Sequence, residues 1–348
     1  MIQEENFIAE INGKETGLFT LKNNQGVSVD VTNYGAALVS IFVPDKQGSF
    51  EDVILGYNSV HDYQADQYYH GAIVGRYANR IAEARFAIDG QEYRLSRNNG
   101  IHTLHGGPTG FGRKVWNAEK RGNQLMLDYF SEDGEEGYPG NLEVAVCYTL
   151  NDNNALVIDF EAKTDKPTVV NLTNHAYFNL GGSRKQEIAN HILWLNADRF
   201  TPKSAEGIPT GEYLKVKKTP MDFTSPKPIG KDIGASYPQL SQGRGYDHNF
   251  VLNNETGDLI KAAEVFDPAS RRCLEVLTTM PGVQFYTADY LGSGAPGKEG
   301  LVYQPRDGFC LETQFFPDSP NKPGFPSTLL NPGETFSHQT VYKFSVKT

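Results

Sequence analysis

Cysteine is scarce in this sequence: Cys147, Cys273 and Cys310 are the only three among 348 residues. They are odd in number, far apart and never form a C-x-x-C pair, which excludes a disulfide framework or a zinc knuckle and fits reduced thiols in a cytoplasm. No apolar run approaches the ~18 residues that a membrane-spanning helix needs, so no membrane association is expected. The stretch Met1–Asn6 has neither a basic nor an apolar segment, so no secretory signal is expected and the expected location is cytoplasmic. Clustered basic charge is also missing. The 32 Lys and Arg stand against 42 Asp and Glu, a formal net charge of −10, and the doublets Lys217-Lys218 and Arg271-Arg272 are isolated. Nucleic acid is therefore disfavoured as a partner, because neutralising phosphates takes clustered cations. Helical spacing is confined to two short stretches, Ser59–Ala65 and Lys231–Leu240. There is no linker, fixed-period repeat or low-complexity tract, so residues 1–348 are read as one domain.

Short strands are abundant. Apolar residues alternate with period two at Val27, Val29 and Val31, at Leu142, Val144, Val146 and Tyr148, at Leu156, Ile158 and Phe160, and again near the C-terminus at Val341, Phe344 and Val346. Asp89-Gly90 and Asn151–Asn154 separate such runs and read as hairpin turns. Thirty-five glycines and nineteen prolines punctuate the chain often enough for an all-β fold. The expected architecture is a large antiparallel β-sandwich with few short helices.

Several polar residues sit in apolar or glycine-rich surroundings. Glu312 lies in the apolar run Phe309–Phe316, where an unpaired carboxylate is costly; it either serves a site or stands on the solvent face of an edge strand. His175 is either a packing residue or a catalytic one. Its neighbours Asn171, Asn174 and Asn179, with Tyr177 and Phe178, offer the amides and rings that a polyhydroxylated ligand needs. His102 and His105 have the spacing H-x-x-H, but the segment is Gly-rich and no acid lies nearby, so a hydrogen-bonding pocket residue is expected rather than a metal ligand. Gly292–Lys298 fits G-x-x-x-x-G-K. Glu299 occupies the place of the magnesium-holding hydroxyl and no helix follows, so a flexible surface loop is expected.

Together these segments resemble the aldose 1-epimerase, or galactose mutarotase, family. The resemblance rests on G-R-Y-A-N-R-I from Gly75, L-H-G-G from Leu104, T-N-H-A-Y-F-N-L from Thr173, Y-D-H-N-F from Tyr246, P-G-V-Q-F-Y from Pro281 and L-E-T-Q-F-F-P-D-S-P-N from Leu311. It implies a β-sandwich of the galactose mutarotase type and interconversion of the α and β anomers of D-galactose, D-glucose and related aldohexoses. By position, His175 matches the family's general acid and Glu312 its general base. Asn79, Arg80, His105, Ala176, Tyr177, Asp247 and Gln284 match its sugar-binding residues, with Arg80 preferred over Arg76 and His105 over His102. Tyr77 stands where many relatives carry Val, and Asp289 where Asn is usual; a groove-facing Asp289 would alter sugar preference. Ring opening has no redox, phosphoryl or covalent step, so no cofactor or metal is expected, and the partner expected is the small aldohexose substrate. The alternatives are a hexose-6-phosphate mutarotase, a β-sandwich glycosidase using Asp247 with Glu312, and a non-catalytic carbohydrate-binding protein.

Overall fold

Period-two alternation lets a strand bury one face and bond laterally through its backbone, and every ladder between the described strands runs antiparallel. The computed structural model describes residues 2–182, 187–292 and 294–347. Among them a nine-stranded sheet has the spatial order Asn117–Arg121, Gln124–Ser131, Leu142–Leu150, Ala155–Thr164, Phe336–Val346, Arg272–Thr278, Ile260–Phe266, Ile192–Leu195 and Lys227–Pro228. A four-stranded sheet joins Leu18–Lys22, Ser28–Thr32, Ala37–Pro44 and Phe50–Asp52. A five-stranded sheet has the order Leu214–Lys215, Arg199–Phe200, Asp247–Val251, Gly282–Tyr286 and Cys310–Gln314. One apolar core is shared by all three: Val29 and Val31 from the second, Val146 and Ile158 from the first, and Phe285 and Leu311 from the third belong to the same buried cluster. This is the expected antiparallel β-sandwich, with core side chains meeting across sheet faces.

The hairpins at Asp89-Gly90 and Asn151–Asn154 form where expected, joining Arg85–Ile88 to Gln91–Arg94 and Leu142–Leu150 to Ala155–Thr164. Val341 lies on the opposite face of its strand from Phe344, because both faces are covered at that point: Val341, Tyr342 and Phe344 are all buried. The first expected helix is present as Val60–Ala65, capped by Ser59, whose hydroxyl accepts the Asp62 N–H. The second is corrected. Only Pro238–Gly243 is helical, and Ile229–Lys231 forms a separate 3₁₀ turn; Pro238 fits the first helical turn, where its missing N–H has no partner to lose.

The Gly292–Lys298 segment also departs from expectation. Lys298 is a buried anchor rather than part of a flexible loop: its Nζ donates to Asp52 Oδ2 at 2.6 Å and to the Ile54 carbonyl at 3.0 Å. The lysine that mimics a phosphate-binding motif thus ties the C-terminal third of the chain to the four-stranded sheet.

Candidate active site

Three neighbouring strands of the five-stranded sheet carry the site on one face. Directly paired residues point the same way, so the register sets Asn249, Gln284 and Glu312 in one row, with Asp247, Tyr286 and Cys310 in the next. The intervening row, His248, Phe285 and Leu311, faces the other side, and Phe285 and Leu311 join the apolar core. Glu312 stands on an edge strand of its sheet yet is only 2 % exposed, so it is not a solvent-facing rim glutamate.

A second, smaller element faces these rows. Arg80–Ile81 pairs with Thr103–Leu104, and the ribbon ends at Asn79 and His105, which adopt φ of 63° and 50°. Left-handed backbone at non-glycine residues is uncommon and persists where the surroundings hold it. Here the two residues lock each other: the His105 N–H donates to the Asn79 carbonyl at 3.0 Å, and the Asn79 N–H donates to His105 Nδ1 at 3.2 Å. Gly106 follows with φ of +85°, and a Cβ there would lie 1.8 Å from the Gly75 carbonyl oxygen.

Between ribbon and sheet is a cavity of about 650 Å³. Asn79, Arg80, His105, His175, Tyr177, Asp247 and Glu312 all line it, although they span more than 230 positions of sequence. His102 lines it as well, its Nδ1 accepting the Glu83 N–H at 2.9 Å. Gln284 is set back from the wall, donating from Nε2 to Asp247 Oδ1 at 2.6 Å. Ala176 does not line the cavity: its methyl belongs to the apolar core, and its N–H donates to Asn174 Oδ1. Arg76 is buried elsewhere, bonded to the carbonyls of Pro139, Gly140, Ser131 and Glu132. Asp289 does not line the cavity either; Arg306 Nε donates to it at 2.9 Å, and the Thr287 hydroxyl donates to its other oxygen. Tyr77 sits in a separate core cluster, its hydroxyl donating to the Phe316 carbonyl.

Glu312 Oε2 lies 3.7 Å from His175 Nε2, with side-chain exposures of 3 % and 5 %. Burial pushes the Glu312 carboxyl well above the ordinary carboxylate range, and the negative Asp247 adds to the rise while Arg80 opposes it. Burial lowers His175 to about 4 and holds His105 well below its ordinary value, with His175 adding to that effect. Asp247 behaves oppositely: burial raises it, but the ammonium of Lys203 at 2.5 Å and the guanidinium of Arg80 outweigh burial and hold it low. Two buried carboxyls thus have their proton affinities driven apart, a pattern associated with acid–base sites.

His175 is clasped on several sides. Tyr177 and Tyr69 flank its ring at centroid distances of 5.0 and 6.1 Å, and Nδ1 lies 3.6 Å from the Cys310 sulfur. Ligand atoms of His105, His175 and Glu312 approach within 4.8 Å of one another, close enough for a metal by distance alone. The donor set does not fit one. His105 Nδ1 accepts a backbone N–H, so in the neutral ring the proton sits on Nε2 and no lone pair faces a cation there.

Tyr69, Lys203 and Glu206 were not anticipated. Tyr69 and Glu206 line the cavity, and Lys203 stands behind Asp247. Each lies outside the motif segments, and no local pattern marks a lysine destined for burial against a carboxylate some forty positions later.

The aldose 1-epimerase family model matches residues 17–343. A galactose mutarotase from Bos taurus is 44 % identical over 328 residues, 94 % of each chain. An aldose 1-epimerase from Escherichia coli K12 is 39 % identical over 336 residues, 96 % of each. Among solved structures, an aldose epimerase homologue from C. elegans superposes with a TM-score of 0.89 at 31 % identity, covering 96 % of this chain and all of the other. The chain belongs to the aldose 1-epimerase family.

Proposed function

We propose that the protein is an isomerase that interconverts the α and β anomers of D-galactose, D-glucose and related aldohexoses. The observation that carries this reading is the buried Glu312–His175 pair, 3.7 Å apart, on the wall of a sugar-sized cavity. Mutarotation needs one group to take the O1 proton while the C1–O5 bond breaks, and another to give a proton to O5. Glu312 serves as base and His175 as acid. After rotation about C1–C2 their roles reverse, and O5 re-adds to the other face of C1.

Arg80, Asn79, His105 and Asp247 supply the hydrogen bonds that hold the ring hydroxyls, and Tyr177 beside His175 offers an apolar face. Gln284 acts through Asp247. Binding of this kind fixes which oxygen meets which catalytic group. Site residues drawn from Asn79 to Glu312 support reading residues 1–348 as a single functional unit.

Two features weigh against the alternatives. Both Asp247 oxygens are engaged, by Lys203 and Gln284, which suits a hydroxyl acceptor better than one member of a glycosidase pair. Among the described lining residues Arg80 is the only lysine or arginine, against the carboxylates of Glu206, Asp247 and Glu312, so a neutral sugar fits better than a phosphorylated one.

The test is Glu312→Gln, followed by polarimetry on freshly dissolved α-D-galactose. A positioned base contributes at least ~10²-fold, and the variant is expected to lose that much while keeping the wild-type circular dichroism. Near-wild-type rates would remove Glu312 from the mechanism.

A further inference from the structure

Lys203 is a cation held out of water, outside every family motif noted above, and it does not itself line the cavity but stands behind Asp247, which does. Its side chain is 8 % exposed and that of Asp247 12 %, with Nζ and Oδ2 at 2.5 Å. Its backbone is clamped on both sides by one residue of the Pro238–Gly243 helix: the Lys203 N–H donates to Gln239 Oε1 at 2.8 Å, and Gln239 Nε2 donates to the Lys203 carbonyl at 3.0 Å. Burying an ammonium so completely is unfavourable without a partner, and Asp247 is the carboxylate bonded to it.

The consequence reaches Glu312 by two steps. Asp247 Oδ1 accepts from Gln284 Nε2 at 2.6 Å, which orients the amide so that Gln284 Oε1 points away from Asp247. Gln284 is also the direct cross-strand neighbour of Glu312. Gln284 Oε1 and Glu312 Oε2 are both buried without a hydrogen bond among the described residues. Buried acceptors of this kind await donors, and for Glu312, on the cavity wall, sugar hydroxyls are such donors. A protonated Asp247 would no longer need the amide's N–H, and the amide could then turn and present a donor in place of the acceptor.

We propose that Lys203 is a positioning residue for the reaction: its ammonium keeps Asp247 an anion that meets the sugar, and through Asp247 it fixes the Gln284 amide beside Glu312. The inference rests on the mutarotase reading for its substrate, but its charge-fixing half does not.

The surroundings of Asp247 define the pH window of the test. The cations facing it are Lys203 and Arg80, and the imidazole of His248 adjoins it. His105 and His175 also feel its charge, and burial lowers all three rings, His105 well below its ordinary value, His175 to about 4 and His248 to about 3. The carboxyls of Glu312 and Asp289, the phenols of Tyr286 and Tyr290 and the thiol of Cys310 complete the set, each pushed up by burial. Without Lys203, burial and these neighbouring carboxylates favour a protonated Asp247, with Arg80, His248 and the Gln284 N–H left to oppose them.

The experiment uses Lys203→Met, Lys203→Arg and wild type, each checked by urea unfolding, with Lys203→Gln carrying the same readouts if the methionine variant does not fold. In protein ¹³C-labelled at aspartate carboxyls and assigned with Asp247→Asn, the Asp247 resonance of wild type stays flat between about pH 4 and 8, whereas that of Lys203→Met titrates inside this range. The KM for α-D-galactose rises about tenfold or more in Lys203→Met, increasingly so as the pH falls, with a smaller change in kcat. Lys203→Arg restores most of the affinity. A flat Asp247 resonance in Lys203→Met, or an unchanged KM with it, overturns the proposal. A wild type that does not mutarotate galactose overturns the functional reading instead, and the resonance still decides the role of Lys203.

Discussion

Glu312 and His175 are too close to titrate independently. In the proposed mechanism one proton is shared between them, and the first step uses the form with that proton on His175 Nε2 and Glu312 as carboxylate. A second proton enters the pair only below about 4, where His175 is lowered; the first leaves only at the raised Glu312 value, well above the ordinary carboxylate range. Below the lower limit the base is lost, and above the upper one the acid is lost. A bell-shaped pH profile of kcat/KM is therefore expected, its two limbs belonging to the pair. Polarimetric rates across the acid range provide the check: an acid limb near 4 fits this assignment, and one near the ~6.5 of an ordinary histidine contradicts it. The two arginines of the Gly75–Ile81 segment separate in the same residue-level way. Arg76 is enclosed by backbone carbonyls, so Arg76→Met is expected to cost ~3 kcal/mol or more by stranding buried acceptors. Urea unfolding measures that loss, while the KM of the folded fraction stays near wild type because Arg80 is untouched.

At the scale of elements, a one-residue requirement sets the ribbon that carries Asn79 and His105. Gly106 combines a positive φ with a backbone contact that leaves no room for Cβ, and the contact is made by main chain, which cannot swing aside. Gly106→Ala is expected to lower the melting temperature by several degrees and to reduce mutarotation more than its effect on the folded fraction explains, because His105 is the preceding residue. Melting curves and rates on the same preparations separate the two effects. Elements of this size were legible in the sequence where a local rule governs them. Asp89-Gly90 forms its hairpin because turn chemistry acts over two residues, and Ser59 starts its helix because a cap acts over four. Lys231–Leu240 is not one helix because Pro238 has no N–H to continue a helix from the residues before it and holds Tyr237 extended, so only the turn from Pro238 onward is helical. The site was legible through motifs, since Asp247, Gln284 and Glu312 each sit in one. That they share one face follows from strand register, which joins residues tens of positions apart and has no local signature. Lys203, Tyr69 and the burial of Lys298 against Asp52 were invisible for the same reason.

At the scale of the whole molecule, several imidazoles outside the catalytic pair share one property with His175: burial withholds protons from them. Burial lowers His191 and His338 to about 4, as it does His175, and lowers His248 further, in parts of the fold as separate as the Phe336–Val346 strand and the His191 turn. Raised carboxyls such as Asp52 and Asp318 work in the opposite sense, so the acid stability of the protein is a difference between two sets of groups. One group remote from the cavity isolates the histidine side. His191 is buried, and its Nε2 accepts the Leu180 N–H at 3.0 Å. Its folded value of about 4 lies below the ~6.5 of the unfolded chain, so at intermediate pH the unfolded state binds a proton that the folded state excludes. Stability is therefore lost as the pH falls below ~6.5, and the loss levels off below the folded value. For a shift of this size the linkage amounts to ~2 kcal/mol between pH 8 and pH 5. His191→Gln keeps an acceptor for Leu180 and removes the titration. Urea unfolding at the two pH values should show wild type losing ~2 kcal/mol more than the variant on acidification; equal losses would mean that His191 accepts its proton in the folded protein as readily as in the unfolded chain.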